Sequence, residues 1–195
     1  MSVRHALLAL LREGPKYGLQ LRQEFEDRTG EVWPLNVGQV YTTLQRLERD
    51  GLVDADDEGA GPQRVFALTA AGAEELETWL RTPPDMTSPP RDELVIKVLV
   101  ALHLPDVDVT ALLQIHRRHL VELMQQYTRL KDDAGEDELG LLLVTDAELF
   151  RLDSLIRWLD SADGRLKRRT TPLTTTPAKA RTVPERLRRQ VGSRR

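Results

Sequence analysis

The most informative pattern of apolar and polar residues lies between Asn36 and Asp50. Its apolar residues recur at steps of three and four, which places them on one face of an α-helix: Val37, Val40, Leu44 and Leu47. The opposite face carries polar residues: Gln39, Thr42, Arg46 and Arg49. Side chains of these types can read base edges in the major groove of DNA. Taken alone, however, the polar side of an ordinary surface helix is the simpler explanation.

Two shorter helical patterns precede this stretch. Residues Val3 to Leu11 predict a helix that ends at Gly14-Pro15, because proline cannot continue a helix. A second helix is predicted from about Tyr17 to Thr29, and Asn36 is placed to cap the third. Three short helices at this spacing, the last with a polar face, indicate a helix-turn-helix unit.

A pattern of strand, turn and strand follows the third helix. Leu52 to Ala55 and Gln63 to Leu68 indicate two strands, which are joined by an acidic, glycine-rich tip at residues 56–62. Thr69 is then placed to cap a helix from Ala70 to about Leu80. A β-hairpin in this position predicts the wing of a winged helix-turn-helix domain.

Helical patterns return after a segment rich in proline, TPPDMTSPP, which we interpret as a linker because proline is excluded from helix interiors. The first predicted helix runs from Arg91 to His103. Asp108 caps a long helix that reaches about Lys131. A last helix begins near Glu138 or Thr145 and ends at Ala162.

The last two helices share the three-and-four spacing of a coiled-coil seam. The residues in seam positions are Leu113, His116, Leu120, Leu123, Tyr127 and Leu130, followed by Leu149, Leu152, Ile156 and Leu159. A pair of such helices would leave one apolar face in water, and a face of that size needs a partner. We predict that the partner is the same region of a second copy, which makes these residues the dimer interface.

These patterns predict a mainly α fold with a small β wing, in which an N-terminal winged helix-turn-helix is followed by a C-terminal antiparallel helical dimerisation region. The DNA-binding domain is expected at residues 1–82 and the linker at 83–90. The helical dimerisation domain is expected at 91–164, and a disordered basic tail at 165–195.

Composition adds limits to this picture. The chain has 195 residues, of which 40% are hydrophobic, and it contains no cysteine, which excludes disulfides and thiolate chemistry. Its N-terminal apolar run is interrupted by Arg4, Arg12 and Glu13, so we interpret it as a helix and not as a signal peptide. No apolar stretch approaches the roughly 18 residues of a membrane span, and we expect a cytoplasmic protein.

The net charge of −3 conceals an asymmetry between the body and the tail. From Arg165 onward, eleven Lys and Arg residues face one acid, Glu185, whereas residues 1–164 carry a balance of −13. The tail has two interpretations that the sequence leaves open. It is either a solvated segment without a fixed partner, or a source of non-specific attraction to phosphates that compensates the acidic body.

Candidate sites for chemistry are few. His116 and His119 lie three apart on one helix, but no third metal ligand stands at a readable spacing. If His116 is buried between helices, its protonation at about pH 6 would loosen the dimer. The turn at residues 59–62 lacks the flanking strand and helix of a phosphate cradle. With no nucleophile or paired carboxylates either, we predict a protein that is not an enzyme and holds no cofactor or metal.

Three sequence blocks resemble the signature of PadR-type transcriptional regulators. They are KYGLQL from Lys16, GQVYTTLQRLERDGLV from Gly38 and QRVFALTAAG from Gln63. They stand in the family's order and spacing, and the middle block, with Tyr41 three residues after glycine, is the most specific. The resemblance implies a homodimeric winged-helix protein that binds double-stranded DNA, most often as a repressor, and is released by a small-molecule effector or another signal.

The reading helix and its surroundings supply the predicted DNA contacts. By helix geometry, base contacts are expected from Asn36, Gln39, Thr42, Thr43 and Arg46. By charge, hydroxyl chemistry and the resemblance, phosphate contacts are expected from Lys16, Tyr17, Tyr41 and Arg64. The acidic tip, with Asp56, Asp57 and Glu58, would be repelled by phosphates, so only the strand that bears Arg64 is expected to touch DNA.

The resemblance also bears on the C-terminal half. Longer PadR-like proteins carry a helical dimerisation region similar to the one predicted here, and in some of them planar compounds stack between tryptophans of the last helix. Trp158 corresponds to that position in broad placement, which makes it a candidate effector contact. Its neighbours Leu155 and Leu159 favour the alternative, a packing role. A rival for the whole chain is a winged-helix module that binds proteins and not DNA, which the acidic body favours.

Overall fold

The structure, a computed structural model, describes residues 3–56, 64–86 and 91–168. Contacts within the chain divide these residues into two compact units. The first unit contains the described residues up to 83 together with residues 131–146. The second contains the described residues of 84–130 and those from 147 onward.

The helices of the N-terminal part follow the predicted order. They are α1 (Val3–Leu11), α2 (Gly18–Arg28), α3 (Val37–Arg49) and α4 (Ala70–Arg81). Two predicted caps are confirmed, since the Asn36 side chain accepts from the Gly38 amide at 2.8 Å and the Thr69 hydroxyl accepts from the Gly72 amide at 3.0 Å. The helices enclose a core whose fully buried members include Leu7, Leu8, Leu21, Val40, Leu44 and Leu47.

A small antiparallel sheet completes this unit. Strands β1 (Lys16–Tyr17), β2 (Val53–Ala55) and β3 (Val65–Leu68) lie in the order β1-β3-β2. The pairing of β2 with β3 is the predicted hairpin, and β1 is an addition that the sequence pattern did not predict. Two residues are too short a segment for a period-2 pattern, so β1 owes its strand conformation to its partner β3, on which Tyr17 pairs with Val65.

The start of helix α7 (Leu139–Lys167) packs on the end of α2 within the first unit. The two backbones approach so closely that a Cβ atom built on Gly140 would lie 2.1 Å from the carbonyl oxygen of Arg28. A Cβ atom on Gly30, whose φ is +58°, would lie 2.4 Å from Leu141. The sequence pattern assigned these residues of α7 to the helical region 91–164, but their packing partners belong to the first unit.

The second unit is helical. It contains α5 (Glu93–Ala101), most of α6 (Val109–Asp133) and the larger part of α7. Asp92 caps α5 by accepting from the Val95 amide, and Asp108 accepts from the Ala111 amide at the start of α6, as predicted. Its core consists of Val98, Leu113, Leu120, Leu152, Ile156 and Leu159. Among the helices that the structure describes, none combines the length and the apolar character needed to cross a membrane.

Candidate nucleic-acid interface

Helix α3 separates its two faces as the sequence predicts, except that Val37, predicted on the apolar face, is exposed in the first turn. Its buried face is anchored by three residues without solvent exposure: Val40, Leu44 and Leu47. Gln39, Thr42 and Arg46 are exposed on the other side, while Thr43 is half-buried and donates its hydroxyl to the carbonyl of Gln39 at 2.7 Å. Arg46 has no hydrogen bond or ion pair among the described residues, so its guanidinium group is available to bind an external acceptor.

The N-terminus of α3 is held by a buried carboxylate. Glu26 in α2 accepts a hydrogen bond from the backbone N–H of Leu35 at 2.9 Å and another from Arg22, also at 2.9 Å. The Leu35 amide, followed by the bond from Arg22, lowers the pKa of Glu26 below its ordinary value although burial opposes this shift. Leu35 directly precedes the cap residue Asn36, so Glu26 positions the beginning of the reading helix.

The middle of α3 contacts the start of α2 through a tyrosine. The ring of Tyr41 lies so close to Gly18 that a Cβ atom there would be 2.8 Å from Cε1. A side chain at position 18 would therefore displace the ring of Tyr41. Tyr17 precedes Gly18, and its side chain is exposed, which leaves the hydroxyl accessible from outside.

The predicted phosphate contact Lys16 has acidic partners within the protein. Its side chain is only 11% exposed, and its Nζ lies 2.7 Å from Glu24 and 3.6 Å from Glu13. Arg28 joins the same cluster and binds Glu13 at 2.6 Å. The hydrogen bond from Arg28 is the main reason why the pKa of Glu13 falls from 4.5 to about 2. Two acids thus balance two bases here, and the surplus positive charge that a phosphate would seek is small.

Arg64, the second predicted cationic contact, is likewise paired. Its guanidinium group donates to Glu48 of α3 at 2.8 Å and lies over the ring of Phe66, 5.8 Å from the centroid. The pairing of β1 with β3 brings Tyr17 beside Val65, the residue that follows Arg64. The structure therefore brings Tyr17 close to the segment that bears Arg64, and Arg64 to the C-terminal part of α3, which separate sequence blocks do not reveal.

The residues predicted as the dimer interface lie between helices of one chain. Leu113, Leu152 and Leu159 are each 1% exposed, and Leu120 and Ile156 are also buried. Leu123 and Tyr127 pack against this core. His116 and Leu149 are half-buried, whereas Leu130 is exposed. The spacing was interpreted as a seam between two copies, but it serves first to pack α6 on α7 within the same chain.

Other apolar residues of the second unit remain exposed. In α5, Ile96, Leu99 and Val100 stand three and four apart, and their side chains are about half exposed, as is Ile115 in α6. Phe150 of α7 is 75% exposed. The opposite side of α5 carries the buried Val98 and Ala101. Thus α5 presents one apolar side to the core and a second to the outside, which helical periodicity alone could not assign.

The tryptophans occupy different surroundings. Trp158 is half-buried and packs against the core of the second unit, in agreement with the packing role that the sequence favoured. Trp79 stacks on the ring of His5 with 4.6 Å between centroids, and Trp33 is exposed before α3. Among the described residues, no group of three or more His, Asp or Glu side chains is arranged to hold a metal ion.

Several predicted features lie outside the described residues. They are Asp57 and Glu58 at the wing tip, residues 87–90 of the linker and the tail from residue 169 onward. Asp56 is described, and its amide donates to the carbonyl of Val65 at the base of the hairpin. Residues 165–167 belong to α7, so the helix extends into the segment that was predicted as tail.

Two protein families match the chain. Residues 7–78 match the family described as "Transcriptional regulator PadR-like family", and residues 90–167 match that described as "Virulence activator alpha C-term". The chain is 25% identical to "Negative transcriptional regulator PadR" of Bacillus subtilis over 82% of its own length and 94% of that protein.

Solved structures share the fold. The crystal structure of Bacillus subtilis PadR in complex with operator DNA has a TM-score of 0.58 and 23% identity, over 85% of this chain and 99% of that one. The same protein in complex with p-coumaric acid has a TM-score of 0.61 and 23% identity, over 86% and 99% of the two chains. The predicted winged-helix fold is therefore confirmed.

Proposed function

We propose that the chain, whose residues 7–78 match the PadR-like family of transcriptional regulators, is not an enzyme but a sequence-specific regulator that binds operator DNA as a homodimer. The observation that carries this proposal is the exposed polar face of α3, on which Arg46 stands without a partner among the described residues. Such a face, on a helix whose other side is packed into the core through Val40, Leu44 and Leu47, is suited to the major groove. The regulator would act where the chromosome is, in the cytoplasm.

Within this proposal, the polar face of α3 reads bases. Arg46 donates twice to guanine, and Gln39 pairs with adenine, as the geometry of these side chains allows. Thr42 offers its methyl group or hydroxyl, and Thr43 stands beside it. The oxygen of Asn36 is occupied by its cap bond, so its amide group acts as a donor at the groove edge.

Phosphate contacts come from the residues around α3. Tyr17 and Tyr41 contribute hydroxyl groups, and Lys16 and Arg64 contribute charge once they exchange their acidic partners for phosphates. Both exchanges lower the net gain from each contact, because an existing ion pair is lost. Non-specific binding should therefore be weak, which leaves most of the affinity to sequence reading.

The second unit supplies the dimer contact. With the seam residues largely buried inside one chain, the exposed side of α5, with Ile96, Leu99 and Val100, is the surface that a second copy would cover. Two-fold pairing sets two reading helices about one turn of DNA apart, roughly 34 Å, and implies an inverted-repeat operator. The name of the Bacillus subtilis relative favours repression, and its complex with p-coumaric acid favours release by a small molecule.

The experiment is a mobility shift of the full chain on DNA from its own promoter region and on random DNA of equal length. Arg46→Ala should cost about 1–3 kcal/mol on the operator and little on random DNA, because a base contact and not a general attraction is lost. Arg81→Ala is the matched control, since it removes an exposed positive charge from α4 and not from the polar face of α3. Its operator affinity should stay near that of the wild type.

Two results would argue against the proposal. Equal losses on operator and random DNA would move Arg46 to the phosphate contacts. No retardation of any promoter fragment at low salt would favour the rival function, a winged-helix module that binds proteins, for which the charge of −13 on residues 1–164 is the supporting observation.

A further inference from the structure

A cavity of about 250 Å³ lies within the second unit, where the start of α5 faces α6 and α7. One wall is apolar and consists of Leu94, Leu120 and Leu155. The other walls carry His116 and His119 of α6, Lys97 of α5 and Arg151 of α7. We propose that this cavity, which we call the α5–α7 pocket, binds a small organic acid with a short aliphatic part. The carboxylate would meet the basic side chains, and the aliphatic part would lie on the leucines.

His116 supplies the first reason. Its Nε2 atom is buried and has no hydrogen-bond partner among the residues that the structure describes. A buried ring nitrogen without a partner is costly, and such an atom in a native structure calls for an explanation, of which a bound partner is one. His116 also lines the pocket, and a carboxylate oxygen accepts from an imidazole N–H, so an organic acid whose carboxylate enters beside this ring would supply the missing partner.

The two cations supply the second reason. Lys97 lies 2.8 Å from Glu93, and Arg151 lies 2.7 Å from Glu148, each on its own helix. Both cations are more than half exposed, and ion pairs of this kind contribute little to stability because solvent screens them. A ligand carboxylate that reaches both cations and His116 together can therefore compete with the single acidic partner of each.

The charge of the pocket distinguishes an acid from an amine. Asp92 also lines it, but this carboxylate already accepts from the Val95 amide as the cap of α5. Glu93 is engaged by Lys97. Both acids keep their charge, but Asp92 is directed to the start of α5 and Glu93 to Lys97, so the pocket favours a carboxylate only where the ligand reaches Arg151 and Lys97 directly. Inorganic phosphate shares the negative charge but cannot use the leucine wall.

Binding to the pocket can be measured without reference to DNA, whereas its use as an effector site rests on the proposed function. The probe is 4-methylpentanoate, and the comparison compounds are 4-methylpentan-1-ol, 3-methylbutylamine and inorganic phosphate. The readout is the imidazole resonances in NMR spectra of the full wild-type chain, which has four histidines. The acid should move the signals of His116 and His119 in a saturable manner and leave those of His5 and His103 in place.

Variants then assign the contacts by calorimetry. Arg151→Gln should weaken binding of 4-methylpentanoate about tenfold, because it removes a hydrogen bond between charged groups. Arg157→Gln is the matched control, since Arg157 lies on the same helix and is paired with Asp153 at 2.9 Å outside the pocket. His116→Gln should also weaken binding, and thermal unfolding of each variant checks that it is folded.

The possible results separate cleanly. The proposal is overturned if no saturable shift occurs, if all four histidines shift alike, if the alcohol, the amine or phosphate binds as well as the acid, or if Arg157→Gln weakens binding as much as Arg151→Gln. A mobility shift with saturating acid tests the regulatory use separately. Unchanged operator binding there would exclude an effector role, and absence of operator binding even without acid would reject the proposed function while the NMR result stands.

Discussion

Single residues determine how helix α3 is held in place and which of its neighbours carry free charge. Glu26 and Gly18 lie outside α3 but contact it or the segment that leads into it, and Glu48 lies in α3 itself. Glu26 orients the beginning of α3, Gly18 admits Tyr41, and Glu48 holds Arg64. The roles of the two acids differ, because one is buried beneath the helix and the other neutralises a cation near the proposed DNA surface. Substitution of Glu26 should therefore change the stability of the protein, whereas substitution of Glu48 should change its affinity for DNA.

Glu26→Gln should lower the free energy of unfolding at neutral pH, because a charged acceptor of two hydrogen bonds is replaced by a neutral one. The pKa of Glu26 is depressed in the folded state. Its stabilisation is therefore complete above the unfolded pKa near 4.5 and disappears as the pH falls through the lower folded value. Urea unfolding of both proteins at pH 7 and at low pH measures this. A difference that does not shrink on acidification would contradict the assigned role.

Glu48→Gln should strengthen binding to random DNA, because it removes the ion pair between Arg64 and Glu48 and a negative charge near the proposed phosphate contacts. Because the phosphate contact of Arg64 then replaces no ion pair with Glu48, the slope of log affinity against log salt should become steeper, by at most about 0.9. The measurement is a salt titration of DNA affinity by fluorescence anisotropy. Glu74→Gln, which removes an exposed charge from α4 without freeing a known cation, is the control. Equal effects of the two variants would mean that only net charge matters.

At the scale of elements, the two ends of helix α7 pack in different units. Its first turns pack against α2 in the first unit, where Leu141, Val144 and Thr145 are buried. Its later turns provide Leu152, Ile156 and Leu159 to the core of the second unit. The glycines of α7 reflect this difference. Gly140 meets a backbone carbonyl, whereas Gly164 meets only the guanidinium end of Arg168.

Gly140→Ala should destabilise the protein by about 1–3 kcal/mol, because its Cβ would lie 2.1 Å from a carbonyl oxygen that cannot swing away. Gly164→Ala should instead stabilise by about 0.5–1 kcal/mol, since alanine favours helix and the long Arg168 side chain can move a few tenths of an ångström. Chemical denaturation of the two variants gives both values. If both substitutions stabilise the protein, the contact of α7 with the end of α2 is not tight.

On the scale of the whole molecule, the balance of apolar surface favours association of two copies. The core of the second unit is satisfied within the chain, yet Ile96, Leu99, Val100 and Phe150 remain exposed. Helix α5 carries three of these on one side. A negative body also makes a single copy a weak DNA binder, so pairing two reading helices on one operator would multiply the affinity.

Leu99→Glu should convert the proposed dimer into a monomer, because a charge on the exposed side of α5 would be buried without a partner. Operator affinity should fall with it, whereas the thermal stability of each unit should change little, since Leu99 is half exposed. Sedimentation equilibrium measures the mass. Gln125→Glu, at an exposed polar position of α6, is the control. A Leu99→Glu protein that remains dimeric would place the interface elsewhere.

Local signals in the sequence were sufficient for much of this description. The caps at Asn36, Thr69 and Asp108, the breaks at Gly14-Pro15 and the three-and-four spacing of α3 depend on residues close together in the chain. They therefore predicted the order of elements and the exposed reading face. The family blocks belong to the same local kind of information, because each is a continuous run.

Contacts between distant segments were decided only by the tertiary structure. The pairing of β1 with β3, the acidic partners of Lys16 and Arg64, and the approach of Gly140 to Arg28 join parts of the chain that no periodic pattern connects. The same holds for the α5–α7 pocket. Periodicity shows that the seam residues of α6 and α7 share a face, but two chains and one chain folded back can bury that face equally well. In the folded chain, much of this apolar face is buried between α6 and α7 of the same chain, since the short connection at residues 134–138 lets α7 fold back on α6.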